Sequence, residues 1–237
     1  MTPRRLPGGG WIALIGGGEF TFEETLDADA AWLDKVPAEL AGRPVGFVPA
    51  ASGSTDYGEH FARYLGEVFE REVVTIPIYR PRDARRAKNL ERIEESSAVY
   101  LGGGVADHLL DALSGSPAAE ALAGRLAAGG VVAAIAAAAQ ALGAVARSIR
   151  PGQTIPGLGW LPAGAVEPNF DPGHDRRLRK LLQAPDARWG LGLATGSCLL
   201  LGPEGAIEAI GECWTLDGPE GELEKLESLE PGAAEAP

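Results

Sequence analysis

The chain has 237 residues and a mass of 24.6 kDa, a length typical of one domain or of one domain with a small appendage. Its 21 basic and 33 acidic residues give a formal net charge of −12, which argues against nucleic acid or an anionic membrane surface as a partner. Two cysteines are too few for a disulfide framework or a zinc ribbon. With no signal-peptide pattern and no run of about 20 apolar residues, we expect a soluble cytoplasmic protein.

Short apolar runs bounded by glycine or proline predict five strands in the first part of the chain. These runs are Trp11–Ile15, Val45–Ala50, Val73–Tyr79, Ala98–Leu101 and Val131–Ile135. Their content of Val and Ile is typical of parallel strands that are buried on both faces.

Helical patterns are predicted between these strands. The helical segments are Tyr57–Glu72, Arg82–Ser96, Ala106–Leu113 and Ala118–Ala128. The first has an apolar stripe opposite a charged face, whereas the second is strongly charged and is expected to be solvated. This alternation predicts a three-layer α/β fold, in which helices cover both faces of a mostly parallel, flavodoxin-like sheet.

The pattern changes after Trp189, where three more strands are predicted to add in antiparallel orientation at one edge of the sheet. These strands are Leu191–Leu201, Ala206–Ile210 and Glu212–Leu216. We therefore predict a single α/β domain over residues 1–217. An acidic and frayed tail is predicted over residues 218–237, since this segment has six glutamates and one lysine.

The glycine turn Gly16–Gly18 follows the first strand, as a dinucleotide-binding turn would. The dinucleotide fingerprint also needs a helix directly after the turn and an acidic residue at the end of the second strand. Here the second strand ends in Pro49–Ser52, without such a residue. The glycines are better explained by a backbone that closely approaches a ligand or a neighbour, and no cofactor is expected.

The three histidines, His60, His108 and His174, show no metal-ligand spacing with a second ligand, so no metal site is expected. His60 falls on the polar side of its predicted helix, and His174 lies in a polar turn. His108 is one turn into the helix that follows Gly102–Gly104, close to the strand ends where sites form. For each histidine a role without chemistry is the favoured interpretation.

The stretch from Val131 to Gly143 is the most unusual part of the sequence, because alanine dominates it. A parallel strand that runs directly into a helix, with only small residues at the junction, has the steric form of a nucleophile elbow. A working elbow has Ser or Cys at its centre. No hydroxyl or thiol occurs anywhere between Val131 and Arg147.

Six motifs follow one another in a characteristic order between Trp11 and Asp217. They are Ile15–Glu19, Val48–Ser52, Gly103–Ala106, Ala134–Ala139, Glu167–Phe170 with Arg176–Arg179, and Gly190–Ala194. In this order they resemble the serine peptidase family that contains dipeptidase E and cyanophycinase. The resemblance implies a class I glutamine amidotransferase-like fold and hydrolysis of small peptides by a serine nucleophile with a histidine base.

The chain departs from that family pattern at the positions that carry the chemistry. The resemblance places the nucleophile at Ala136 and the base at Asn169, and it places further polar residues at Val105–Ala106 and Ala194. Alanine cannot attack a carbonyl, and an asparagine amide does not accept a proton at neutral pH. The sequence therefore favours a catalytically inactive homologue, a pseudo-enzyme with a binding or structural role.

The pocket of such a homologue should lie at the carboxyl ends of the parallel strands. Its candidate lining residues are Gly17, Glu19, Ser52, Gly103, Gly104, Ala136, Ala137 and Asn169. The backbone N–H groups of Gly104 and Ala137 are candidates for a residual oxyanion pocket. Without the catalytic polar groups we expect small and rather apolar walls, around a bound small molecule or peptide or around no ligand at all.

An active hydrolase with a displaced nucleophile is the alternative function. The spare nucleophiles are Ser52, Ser54, Ser148, Ser197 and Cys198. Ser52 is the best placed of these because it closes a strand in a turn, and His108 could approach it across the strand ends. Glutamine amidotransferase chemistry would need a cysteine at the elbow, where the chain has none. Related architectures also suggest a homodimer.

Overall fold

The computed structural model describes residues 3–5, 8–52 and 54–228. The strands in these ranges are β1 (Trp11–Ile15), β2 (Val45–Val48), β3 (Val73–Thr75), β4 (Ala98–Leu101), β5 (Val131–Ile135), β6 (Val145–Arg147), β7 (Thr154–Pro156), β8 (Gly164–Pro168), β9 (Trp189–Leu193), β10 (Cys198–Leu201), β11 (Ile207–Ile210), β12 (Cys213–Asp217) and β13 (Leu223–Lys225). The α-helices are α1 (Leu26–Asp34), α2 (Asp56–Phe69), α3 (Ala87–Glu95), α4 (Ala106–Leu113), α5 (Pro117–Ala127), α6 (Ala137–Ala141) and α7 (Arg176–Leu181).

The main sheet has seven strands in the order β11-β10-β1-β5-β4-β2-β3. Strands β1, β5, β4, β2 and β3 pair in parallel, and β10 and β11 add in antiparallel orientation beside β1. The predicted mostly parallel α/β sheet with an antiparallel edge is confirmed. The strand predicted at Glu212–Leu216 does not belong to this edge, because Cys213–Asp217 forms β12 and pairs with β9 in a second sheet. Every residue of β2, β4 and β5 is buried, as their continuous apolar sequences require.

Alternation along β1 explains why helices cover both faces of this sheet. Ala13 and Ile15 pack in one cluster with Trp32 of α1 and Phe61 of α2. The intervening residues Ile12 and Leu14 point the other way, into a cluster with residues of α4 and α5. The main sheet is thus the middle layer of the fold, and its carboxyl strand ends remain free to form a site.

A second sheet of six strands, in the order β13-β12-β9-β8-β6-β7, was not predicted. Strand β8 pairs in parallel with β9 and β6, and the other pairs are antiparallel. The segment Leu191–Leu201, predicted as one strand, is therefore two strands in different sheets. The chain crosses between them through a turn in which Gly196 has a φ of 75°.

The two cysteines mark this division of the chain between sheets. Cys198 is the first residue of β10 in the main sheet, and Cys213 is the first residue of β12 in the second sheet. Both thiols are free, and both residues are fully buried. The Sγ atom of Cys213 donates to the carbonyl oxygen of Cys198 over 3.4 Å. Burial raises the pKa of both thiols.

The structure corrects several predicted boundaries: the second strand ends at Val48, the helix predicted over Arg82–Ser96 is α3 (Ala87–Glu95), and the third strand and the tail differ as well. Pairing of the third strand stops at Thr75 rather than at Tyr79, since Pro77 has no N–H to donate to a neighbouring strand. The predicted tail is not frayed at Leu223–Lys225, because this segment forms β13 and Leu223 pairs with Leu216 of β12. Residues 229–237 of the tail lie outside the described residues.

None of the helices in the described parts of the chain combines the length and the apolar character that crossing a membrane requires.

Candidate functional site

Ala136 lies at the sharp turn between β5 and α6, with φ 51° and ψ −114°. An L-residue rarely adopts this backbone conformation, and the surrounding structure must hold it in place. The Ala136 N–H donates to the carbonyl oxygen of Ile15 over 2.9 Å, and the Ala136 carbonyl accepts from the N–H of Gln140 over 3.0 Å. The structure therefore contains the strand-to-helix elbow that the alanine-rich stretch predicts.

Gln140 also connects the elbow helix to the second sheet. Its side-chain amide donates to the carbonyl oxygen of Val166 in β8 over 3.2 Å. Its side-chain oxygen accepts from the N–H of Arg147 over 3.1 Å. Because Gln140 is buried, both polar ends need partners, and these two bonds connect α6 to β8 and to β6.

Asn169 follows β8 directly and has a φ of 49°, a left-handed conformation that asparagine tolerates better than most residues. The backbone N–H of Asn169 donates to the carbonyl oxygen of Gly16 over 2.7 Å. Its side-chain Oδ1 accepts a hydrogen bond from the Thr195 hydroxyl over 3.1 Å. These bonds bring a residue of the second sheet to the carboxyl end of β1 in the main sheet.

Two glycines are required by close approach of neighbouring groups. A Cβ atom on Gly17, whose φ is 138°, would lie 2.2 Å from Oδ1 of Asn169. A Cβ atom on Gly104, whose φ is 143°, would lie 2.4 Å from the carbonyl oxygen of Ala51. The interpretation of the glycine turns as places of close backbone approach is confirmed.

An open cleft of about 940 Å³, which we call the elbow cleft, lies where these turns meet. Its lining residues are Gly17, Gly18, Glu19, Phe20, Thr21, Glu24, Ser54, Asp56, Tyr57, His60, Gly103, Gly104, Ile135, Ala136, Asn169 and Thr195. Six of the eight predicted pocket residues are among them. Ser52 and Ala137 are not.

The two exceptions have structural roles instead. The hydroxyl of Ser52 donates to the carbonyl oxygen of Pro49 over 3.3 Å and accepts from the N–H of Ser54 over 3.2 Å, so it stabilises the turn after β2. The side chain of Ala137 packs against the hydrophobic core. An oxyanion pocket between the N–H groups of Gly104 and Ala137 stays a prediction.

The elbow cleft is charged, so the expectation of rather apolar walls is wrong. Three exposed carboxylates, those of Glu19, Glu24 and Asp56, line it together with His60 and Tyr57, and its described lining has no lysine or arginine. These acidic residues come from the loop after β1 and from the start of α2. Glu19 belongs to a sequence motif, whereas Glu24 and Asp56 belong to none, and only the tertiary packing brings these two to the elbow.

Aromatic packing holds the acidic loop in position. The rings of Phe20 and Tyr57 stack with centroids 5.9 Å apart and planes within 3°. The Tyr57 hydroxyl accepts from the N–H of Gly103 over 3.3 Å, and burial raises the pKa of Tyr57 to about 12, so the phenol stays protonated near neutral pH. One carboxylate oxygen of Glu24 accepts from the N–H of Glu19 over 2.8 Å and closes the loop.

Of the five spare nucleophiles, only Ser54 lines the elbow cleft. The hydroxyl of Ser148 donates to Asp107 over 2.7 Å, and that of Ser197 donates to the carbonyl oxygen of Ala194 over 2.7 Å. Cys198 is buried in β10, as described above. In the described residues no hydroxyl of these serines is hydrogen-bonded to a histidine, and His108 faces a different groove.

His60 is the histidine that the structure does bring into the elbow cleft, together with Asp56 and Tyr57 of the same helix. Their position in the first turns of the helix after the second strand is the one sequence signal that could have pointed to them. Within the described part of the chain, no group of three His, Cys, Asp or Glu side chains is arranged to hold a metal ion.

Comparisons with known proteins agree with this geometry. The sequence profile of peptidase family S51 matches residues 12–207. The crystal structure of a peptidase from an acI-B1 Actinobacterium is 19% identical with a TM-score of 0.73, over 94% of this chain and 96% of the other. A structure from Listeria monocytogenes EGD-e, assigned as a peptidase E protein, is 15% identical with a TM-score of 0.59, over 89% of this chain and 99% of the other. No curated protein sequence matches significantly.

Proposed function

The chain belongs to peptidase family S51, and from this premise we propose that it is a catalytically inactive member whose elbow cleft binds a small, positively charged ligand. The observation that carries the proposal is that alanine occupies the centre of an intact elbow, beside an open and acidic cleft. The cytoplasmic location and the homodimer remain predictions from the sequence.

The inactive state is supported by what Ala136 and Asn169 lack. Peptide hydrolysis through a covalent intermediate needs a nucleophile and a base that removes its proton. Ala136 has no nucleophilic atom, and the Asn169 amide is held by Thr195 and has no basic nitrogen. Removal of either role alone lowers the rate of a serine peptidase by several orders of magnitude.

A binding role is supported by the cleft that remains. The elbow keeps a backbone conformation that costs about 1–3 kcal/mol in a residue other than glycine. The cleft remains open at about 940 Å³, a volume within the range of small-molecule sites. A site without function would be expected to relax or to fill with side chains, and this one has done neither.

The charge of the lining indicates the ligand class. Glu19, Glu24 and Asp56 are exposed carboxylates. The described lining contains no lysine or arginine, and His60 is its one histidine. An ammonium or guanidinium group would receive charge-assisted hydrogen bonds from these carboxylates and could lie near the ring of Tyr57. A short peptide with a free amino terminus or a basic side chain has this chemistry.

The alternative is a hydrolase that uses Ser54 as a displaced nucleophile, because Ser54 and His60 line the same cleft. Fluorophosphonate labelling followed by intact-mass measurement separates the two functions, with an active serine hydrolase run in parallel as the positive control. We expect no adduct on this protein. An adduct that disappears in the Ser54→Ala variant would establish the displaced nucleophile and overturn the proposal.

Ligand binding is tested by calorimetric titration of the full chain with argininamide and, as an anionic counterpart, N-acetylaspartate. We expect saturable binding of argininamide only. The Glu19→Gln/Asp56→Asn variant should weaken it about tenfold or more, since each charge-assisted bond contributes about 1.5–3 kcal/mol. The matched control is Glu59→Gln, which changes an exposed carboxylate of α2 outside the cleft. Equal binding of both probes would contradict the charge preference.

A further inference from the structure

A second groove, of about 720 Å³, lies at the same end of the main sheet. Its lining residues are Thr55, Pro77, Tyr79, Arg80, Arg82, Asp83, Arg86 and His108. We call it the arginine groove. All of these residues follow the carboxyl ends of β2, β3 and β4, so the groove lies at the edge of the sheet where parallel α/β folds bind ligands.

The arginine groove and the elbow cleft are immediate neighbours. Thr55 lines the arginine groove, whereas the residues on either side of it in the chain, Ser54 and Asp56, line the elbow cleft. Adjacent Cα atoms are about 3.8 Å apart across a trans peptide, so the wall between the two is one residue wide. The Thr55 hydroxyl donates to Asp56 over 3.1 Å, within that wall.

The segment that carries the arginines is held in place by the buried carboxylate of Asp83. One oxygen of this carboxylate accepts from the backbone N–H groups of Tyr79 and Arg80, over 3.3 and 3.2 Å. The side-chain amide of Asn89, itself buried, donates to the carbonyl oxygen of Asp83 over 2.9 Å. The segment is therefore preorganised before any ligand arrives.

The groove carries an excess of positive charge in a strongly acidic protein. Three arginines, Arg80, Arg82 and Arg86, line it together with a single carboxylate, that of Asp83. This carboxylate lies 3.2 Å from the guanidinium group of Arg86 and 3.8 Å from that of Arg82. The side chains of Arg82 and Arg86 are 70% and 57% exposed, so most of their donors remain open to a ligand. The imidazole of His108 is a further exposed polar group at this site.

From this juxtaposition of an acidic cleft and a basic groove across one residue, we propose that the arginine groove binds the terminal carboxylate of a short peptide whose cationic end lies in the elbow cleft. The cationic half rests on the proposed function. A planar carboxylate matches the paired donors of a guanidinium group. An extended peptide of three to four residues spans about 10–14 Å, enough to pass over the wall at Thr55.

The test compares two peptides that differ only at the carboxyl end: Lys-Ala-Ala-Ala as the free acid and as the amide. Calorimetric titration of the full chain should show that the acid binds about tenfold more tightly or better. The Arg82→Gln/Arg86→Gln variant should remove this difference and leave the Kd of the amide unchanged. Arg85→Gln is the matched control, since Arg85 is an exposed neighbour in the same segment that does not line the groove.

Equal affinity of the acid and the amide, or a difference that persists in the double variant, would overturn the proposal. The single variant Arg80→Gln tests the same groove if the double variant does not fold. If neither peptide binds, cation binding by the elbow cleft is refuted, and acetyl-Ala-Ala-Ala acid then tests the arginine groove alone. If this peptide binds and the binding requires the arginines, the proposed carboxylate site in the arginine groove is retained. If the peptide does not bind, that site is refuted as well.

Discussion

The hydroxyl of Thr195 donates a hydrogen bond to Oδ1 of Asn169 over 3.1 Å. The amide of Asn169 offers this oxygen, which is not basic at neutral pH, and an NH₂ group, which can only donate. The position where the family resemblance expects a proton acceptor therefore has no group that can take up a proton. Restoring a nucleophile at the elbow would still leave no base at position 169 to activate it.

The Ala136→Ser variant should therefore show no measurable hydrolysis of dipeptides that contain Asp or Arg. A serine at position 136 would have the required strained backbone, but no group at Asn169 could take its proton. The assay incubates the variant with each dipeptide for several days and measures the released free amino acids by chromatography. Turnover by the single variant above that of the unmodified protein would contradict the proposed inactive state.

Replacing Ala136 by glycine should stabilise the protein by about 1 kcal/mol. The angles φ 51° and ψ −114° are the mirror image of an ordinary extended conformation, which glycine adopts without strain and alanine does not. Urea unfolding measures the difference. The control is Ala138→Gly in the buried, regular part of α6, which should instead lower the free energy of unfolding by about 1 kcal/mol.

The Gly17→Ala variant should be destabilised by about 2–4 kcal/mol. The added Cβ would lie 2.2 Å from Oδ1 of Asn169, and a φ of 138° is strained for alanine. The steric part is separated by adding Asn169→Ala, which removes the colliding atom and should recover part of the loss. Additive effects of the two substitutions in urea unfolding would contradict a direct contact.

Asp29 should make the stability of the protein depend on pH. This buried carboxylate accepts hydrogen bonds from Thr25, Trp32 and Tyr64, yet burial dominates and raises its pKa from 3.8 to about 6. The folded protein then holds the proton more tightly than the unfolded chain. The contribution of protonated Asp29 to the free energy of unfolding is complete below about pH 4. It is lost as the pH rises through 6, a change of about 3 kcal/mol.

The Asp29→Asn variant, which does not titrate, should lose this part of the pH dependence between pH 4 and 7.5. Urea unfolding of both proteins across that range gives the difference. Asp27→Asn on the exposed face of α1 is the control and should keep the original profile. A profile for Asp29→Asn that runs parallel to that of the unmodified protein would refute the assignment.

Arg147 should stabilise the protein more at high than at low pH. One guanidinium nitrogen of Arg147 donates to both oxygens of Glu167, over 2.7 and 2.8 Å, and Glu167 is only 3% exposed. Burial raises the pKa of Glu167 and Arg147 lowers it, so in Arg147→Ala the unpaired carboxylate takes up a proton more readily as the pH falls. We expect a loss of about 2 kcal/mol at pH 8 and less at pH 5, measured by urea unfolding. Adding Glu167→Gln should recover most of the loss.

The sequence predicts the main sheet well because its signals are local. Strands β1, β4 and β5 and helix α4 begin and end as predicted, at residues bounded by glycines and polar turns. The second sheet was missed because β6, β7 and β8 have three to five residues each, and such short segments form strands only when a partner is present. Strand β9, with which β8 pairs, is predicted from the sequence as continuous with β10.

The candidate site also has one part that local sequence signals predict and another part that only the tertiary packing creates. The order of motifs locates Ala136, Asn169 and the glycine turns, because each directly follows a strand. The carboxylates of Glu24 and Asp56 reach the elbow cleft through the packing of Phe20 against Tyr57. No periodicity in the sequence encodes that contact, so the acidic character of the cleft was not foreseen.

Cys198 and Cys213 have a practical consequence that follows from their positions in different sheets. Both thiols are fully buried, so a thiol-reactive dye can label either one only after the surrounding strands have separated. The labelling rate of each cysteine therefore reports how often the sheet that contains it opens. Equal labelling rates at the two positions would mean that both sheets open as one cooperative unit. Faster labelling of Cys213 would show that the second sheet opens while the parallel core stays closed.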